Sequence, residues 1–167
     1  MEPQARKETR RALTLSINGA VRHVHVPVHW TLLETLRYGL GLTGSKQGCD
    51  KGDCGCCTVM IDGEAVLSCL TLAASCEGRA IVTIEGLAEP DRLDPVQDAF
   101  DRCGALQCGF CQSGMMMSAR ALLDHKPQPT RRDIDEALGG NLCRCTGYTK
   151  IVDAVVEAAR VIGQGTE

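Results

Sequence analysis

Three separated groups of cysteines constrain this 167-residue chain more than its hydrophobic pattern does. Cys49, Cys54 and Cys57 stand in C-x4-C-x2-C spacing with Cys69 downstream, and Cys108-Gly-Phe-Cys111 and Cys143-Arg-Cys145 follow. Eleven cysteines in one chain admit three explanations: disulfides, structural zinc or iron–sulfur clusters. Disulfides require an export route. Here Ser16, Asn18, Gly19 and Arg22 interrupt the place where an apolar stretch would have to follow the basic pair Arg10-Arg11. The expectation is a solvated basic tail over residues 1–11, in a reducing cytoplasm where thiolates ligate metals. No run of 18 apolar residues occurs, so no membrane span is expected. A net charge of -3 leaves no electrostatic footprint for nucleic acid.

The first cysteine group has the spacing of a plant-type [2Fe–2S] site, with Cys69 available as fourth ligand. Its loop, GCDKGDCGCC, is rich in glycines that can turn backbone N–H groups toward sulfur. Asp50, Lys51 and Asp53 read as its solvated rim. Zinc is the alternative, although zinc ribbons pair their knuckles more closely than Cys57 and Cys108 allow. In the second set, each cysteine pair stands where a helix begins, and helix N-termini favour anionic sulfur. A thioredoxin-like pair at Cys108 and Cys111 would need a βαβ setting, which is missing.

Between these groups the chain splits into two halves. Leu13, Leu15 and Ile17 alternate, Asn18-Gly19 signals a tight hairpin, and Val24 and Val26 resume the alternation. Thr31 to Glu34 has capping-box spacing for a helix ending at Gly39. Thr58–Ile61, Asp62-Gly63 and Val66-Leu67 predict a second hairpin, and 80–84 a further strand. The second half predicts helices over 95–102, 113–124, 130–138 and 149–162, the first capped by Asp94 ahead of Pro95. The boundary is expected in 85–93.

Three motifs in this order, QGCDKGDCGCC with Cys69, QCGFCQSGM and GGNLCRCTGY, resemble the iron–sulfur subunit of molybdenum hydroxylases, the xanthine dehydrogenase, aldehyde oxidoreductase and carbon monoxide dehydrogenase group. The resemblance spans residues 12–162. It implies an α+β chain: a β-grasp, plant-type ferredoxin-like domain over 12–88, then an all-α four-helix bundle over 89–167. It implies one [2Fe–2S] cluster on Cys49, Cys54, Cys57 and Cys69, and another on Cys108, Cys111, Cys143 and Cys145. Positions matching Gln107 and Cys145 would approach the pterin held by a large partner subunit. The implied function is an oxidoreductase's electron-transfer part. Electrons would pass from molybdopterin-bound molybdenum through both clusters to FAD on a medium subunit, or to another acceptor. The implied assembly is a heterotrimer that can double. A free-standing ferredoxin-type carrier is the competing reading. Two residues depart from the family pattern: Cys56 stands where alanine is usual, and Gln112-Ser113 where Thr-Pro is commoner.

The remaining candidates carry less. Cys56, Cys76 and Cys103 are expected as buried small hydrophobes. Of the consecutive Met115, Met116 and Met117, some should be core and others available to a partner. The glycine triplet Gly39, Gly41 and Gly44 follows a predicted helix where a dinucleotide fingerprint needs a strand. His23, His25, His29 and His125 are expected in surface or packing roles.

Overall fold

The computed structural model describes residues 9–164. The expected tail lies outside the described residues as far as position 8, and β1 (Arg10–Ile17) already begins at Arg10. With β2 (Ala20–Pro27) it forms an antiparallel hairpin turned by Asn18 and Gly19, at φ +53° and +74°. Both hairpins read from the sequence are present, the second formed by β3 (Thr58–Ile61) and β4 (Glu64–Leu67) about Asp62 and Gly63. With β5 (Ala80–Val82) they make a mixed sheet in the order β2-β1-β5-β3-β4, in which β1 and β5 run parallel. β5 stops short of residue 84. The Thr83 N–H leaves the ladder for the Asn18 side chain, which receives it at 2.9 Å and donates back to the Thr83 hydroxyl at 3.0 Å.

The Thr31–Glu34 capping box forms as expected. Its helix is one α turn, α1 (Leu32–Glu34), followed by a wider π turn over Thr35–Gly39, closed by the Leu40 N–H on the Thr35 carbonyl. That turn keeps Leu32 and Leu36 together in one core with Leu15, Ile17, Val59, Ile61 and Ile81.

Four helices follow: α2 (Pro95–Arg102), α3 (Gln112–His125), α4 (Arg131–Leu138) and α5 (Thr149–Gln164). The Asp94 cap is in place, its side chain accepting the Val96 N–H at 2.8 Å. α2 packs on α5 and α3 on α4, around Phe100, Met115, Leu123, Ile134, Ile151 and Val155. The chain is therefore α+β, a mixed sheet with a small helix joined to a helical unit.

α3 also lies against the far face of β3. All four β3 residues are buried, because Val59 and Ile61 face the α1 side while Met60 packs with Met117 and Ala121. This corrects the expectation for the methionines. Met115, Met116 and Met117 are all inside: the first two among the helices, the third against the sheet. One helix face cannot hold three consecutive residues, but a helix sandwiched between two partners can bury them all.

The junction between the two units is tight at Gly114, where a Cβ would lie 2.1 Å from the Gly55 carbonyl oxygen. Because the obstructing atom is backbone, Gly114→Ala is expected to cost about 1–3 kcal/mol of unfolding free energy. Urea denaturation followed by circular dichroism measures this, and an unchanged midpoint would show that the junction is loose.

Candidate metal centres

The β3–β4 hairpin explains how four distant cysteines of the first set can meet. Thr58 pairs with Leu67, so Cys57 just before β3 stands opposite Ser68, beside Cys69. The Ser68 hydroxyl fastens the pair by donating to the Cys57 carbonyl at 2.6 Å. The Cys57 thiol lies beside that of Cys69 and Cys49 beside Cys54, with Cys49 near enough to act on Cys69. Backbone N–H groups of Lys51, Cys54 and Asp53 point at the Cys49 sulfur and hold its pKa down to about 7. Burial does the reverse to Cys69, pushing it up to about 12 with help from the neighbouring Cys57 thiol.

The second set comes from two helix-entry loops. Cys111 occupies the N-cap position of α3, and the buried Gln112 amide braces the loop by donating to the Ala105 carbonyl at 2.8 Å. Cys143 and Cys145 precede α5, where Tyr148 adopts φ +68°. That strained backbone is held by its phenol, which accepts the Cys143 N–H at 2.9 Å and donates to the Asn141 carbonyl at 3.1 Å. Cys145 donates to Cys108 across 3.5 Å, while Cys111 stands beside Cys143. The Cys108–Cys145 pair splits accordingly: the Phe110 N–H lowers Cys108, and the Cys108 partner raises Cys145. Burial opposes ionisation of Cys143, yet the hydroxyl and N–H of Thr146 outweigh it and lower the pKa. Cys111 is pushed up to about 12 by burial first and by Cys143 second.

Thiols of the expected sets 49/54/57/69 and 108/111/143/145 are thus neighbours in pairs: Cys49 with Cys54, Cys57 with Cys69, Cys108 with Cys145 and Cys111 with Cys143. None of the eleven cysteines is in a disulfide. Among the described residues no three Cys, His, Asp or Glu side chains are drawn around a single ion. The case for each quartet thus rests on these thiol contacts and on the N–H groups that face sulfur. Such a donor set, thiols lined by amides, suits an iron–sulfur cluster. Gln107, Cys108 and Cys145 are exposed, with the apolar Leu106, Phe110 and Leu142 around them.

The three remaining cysteines differ. Cys56 and Cys76 are buried as expected, whereas Cys103, at the C-cap of α2, is only partly buried against the helical core. A helix C-cap faces outward, and nothing packs over this one fully. Cys56 has an unexpected position: it extends from the first cysteine loop into the core of the helical unit, near Cys54 and Cys111, and burial pushes it up to about 12.

The sequence reading passed over Asn141, Thr146 and Tyr148. Their signal was present, since all three lie in the GGNLCRCTGY motif, but nothing in their spacing says what they brace. Asn141 is 4% exposed and reaches across the junction: its amide donates to the Gly55 carbonyl at 2.9 Å, and its oxygen accepts the Ser118 hydroxyl at 2.8 Å. Next to it the Leu142 N–H donates to the Cys54 carbonyl at 2.9 Å.

Thiol labelling of the intact protein at pH 8 separates the cysteine classes. Cys103 should react. Cys56 and Cys76 should not: both are buried, and with raised pKa values they remain protonated at that pH. Cys108 and Cys145 are exposed in the isolated chain, so their protection there would have to come from ligation, and their ready labelling would argue against it.

Comparison with known proteins supports the same conclusion. A family described as "2Fe-2S iron-sulfur cluster binding domain" matches residues 15–81, and one described as "[2Fe-2S] binding domain" matches residues 83–156. The chain is 51% identical over 154 residues to the nicotine 6-hydroxylase small subunit of Paenarthrobacter nicotinovorans, covering 92% of this chain and 93% of the relative. It is 45% identical over 143 residues to the nicotinate dehydrogenase small FeS subunit of Eubacterium barkeri, covering 86% and 91%. The crystal structure of quinoline 2-oxidoreductase from Pseudomonas putida 86 contains a chain that superposes with a TM-score of 0.89 at 44% identity, covering 95% of this chain and 99% of that one. Two cluster-binding domains in this order, on relatives of this identity, mean that the chain belongs to the small [2Fe–2S] iron–sulfur subunits of the molybdenum hydroxylase family.

Proposed function

We propose that this chain is the electron relay of a multi-subunit molybdenum hydroxylase, with Cys49, Cys54, Cys57 and Cys69 holding one [2Fe–2S] cluster and Cys108, Cys111, Cys143 and Cys145 the other. The observation that carries the assignment is that the eight thiols pair with neighbours inside the two expected sets, with backbone N–H groups on Cys49, Cys108 and Cys143. Bound there, each cluster supplies one-electron redox chemistry. The protein's part is to hold thiolates, aim N–H groups at sulfur and fix the separation of the two sites.

Exposure supports a direction of flow. Cys108 and Cys145 lie at the surface beside Gln107, framed by the apolar Leu106, Phe110 and Leu142. This face suits docking on a large subunit that carries molybdopterin, with Gln107 and Cys145 toward the pterin. The first quartet then faces the acceptor, FAD on a medium subunit in a heterotrimer. The substrate is met by the large subunit, which accords with relatives named for compounds as different as nicotine, nicotinate and quinoline. We further assign the sheet unit to the β-grasp, plant-type ferredoxin fold over 12–88 and helices α2–α5 to a four-helix bundle over 89–167. The parallel β1–β5 pairing and the packing of α2 on α5 and α3 on α4 support this. No helix among the described residues is long and apolar enough to cross a membrane, and eleven cysteines without a disulfide fit a reducing cytoplasm.

Affinity purification from the native host tests the assignment. About four irons per chain, with molybdenum and FAD on co-purifying subunits, are expected. Four irons without a partner would favour a free ferredoxin-type carrier, and zinc without iron would overturn the cluster reading. Cys145→Ser is expected to remove about half of the iron and leave the first cluster's spectrum intact. Full iron and both spectra in that variant would refute the ligand assignment.

A further inference from the structure

The two thiol sets lie on different units, yet a backbone hydrogen bond joins their loops. The Cys54 carbonyl accepts the Leu142 N–H at 2.9 Å. A continuous path therefore runs from the Cys54 side chain through its own carbonyl, across one hydrogen bond, and along Leu142 into Cys143. Electron transfer falls off far more steeply across a non-bonded gap than along bonds, so the length of that hydrogen bond matters.

Asn141 governs it. Its side-chain amide holds the next carbonyl of the first loop, Gly55, at 2.9 Å, and also approaches the Thr58 hydroxyl at 3.4 Å. Thr58 secures the same carbonyl with its own N–H at 3.1 Å and hydroxyl at 2.7 Å. The Asn141 oxygen is anchored on α3 through Ser118, and its backbone carbonyl on the Tyr148 phenol. The fit admits nothing larger, since a Cβ on Gly55 would meet the Gly140 carbonyl oxygen at 2.4 Å and the Asn141 amide nitrogen at 2.5 Å. Gly55 has φ +69°, which also favours glycine. Asn141 thus presents the Leu142 amide to Cys54 and fixes the first cysteine loop against the entry to the second.

We propose that Asn141 is a positioning residue that sets the coupling between the two clusters, by keeping the Cys54 carbonyl on the Leu142 amide. The inference rests on the ligand assignment above. Asn141 touches no expected reacting atom. It acts through the registration of two loops, each of which has other supports: Ser68 on Cys57 for the first, Tyr148 on Cys143 for the second. Either cluster can therefore assemble without it.

The test uses the assembled complex carrying Asn141→Asp, Asn141→Ser or Ser118→Ala. Asp keeps the acceptor for Ser118 but cannot donate to Gly55 when ionised. Ser is small and neutral, and carries the test should buried Asp prevent assembly. Ser118→Ala removes only the anchor on α3. The readouts are iron content, the magnetic interaction between the two reduced clusters in electron paramagnetic resonance, and the rate of electron transfer between them after rapid mixing. Both Asn141 variants are expected to hold about four irons, to lose the spin–spin interaction seen in the parent, and to transfer electrons internally about 10-fold or more slowly. Ser118→Ala should keep most of both. Unchanged coupling and rate in the Asn141 variants would overturn the proposal. Equal losses in Ser118→Ala would also overturn it, reducing Asn141 to general packing. Failure of the ligand assignment looks different: the parent complex itself would then lack two interacting reducible centres.

Discussion

The contact on which the rest depends is the close approach of backbones at Gly55, where a methyl group on Gly114 would collide with the Gly55 carbonyl and one on Gly55 with the Gly140 carbonyl. Hydrophobic cores tolerate some exchange of shape, but backbone against backbone does not. That contact places the first cysteine loop directly on the N-terminal turns of α3, and through Asn141 on the entry to Cys143. It also draws Cys56 out of its own unit and into the helical core. The two cysteine loops are consequently parts of one construction, though they are built on separate cores.

Around that contact, burial and amide dipoles act in opposite senses on the thiols. N–H groups from the tight loops lower Cys49 and Cys108, whereas burial raises Cys69 and Cys111 to about 12. Each set thus combines a more easily ionised thiol with a more reluctant one. Under the proposed ligand assignment, a metal centre loading there would displace protons from the raised thiols, so assembly would be favoured as pH rises. The raised thiols give up their protons least readily, and that coupling is strongest for Cys69 and Cys111. The exposed Cys108 and Cys145 lie where a partner can approach, which fits a relay to or from another chain.

Much of this was legible in the residues. Hairpin turns at Asn18-Gly19 and Asp62-Gly63, caps at Thr31, Asp94 and Thr130, and both cysteine groups follow from local chemistry, because a turn or cap satisfies its own hydrogen bonds. The helix-entry placement of Cys111 and Cys143 was visible for the same reason. Less visible were the early end of β5, where Asn18 captures Thr83 from across the sheet, and the burial of all three methionines. Both depend on partners distant in sequence.

The sequence by itself determined which side chains could ligate, in what order, and on which local elements, since spacing and turn chemistry act over a few residues. Only the tertiary structure decided that Asn141, 86 positions from Gly55, would clamp the first loop to the second, and that Cys56 would lie beside Cys111. Close packing is a property of two surfaces together, and neither stretch of chain specifies it alone.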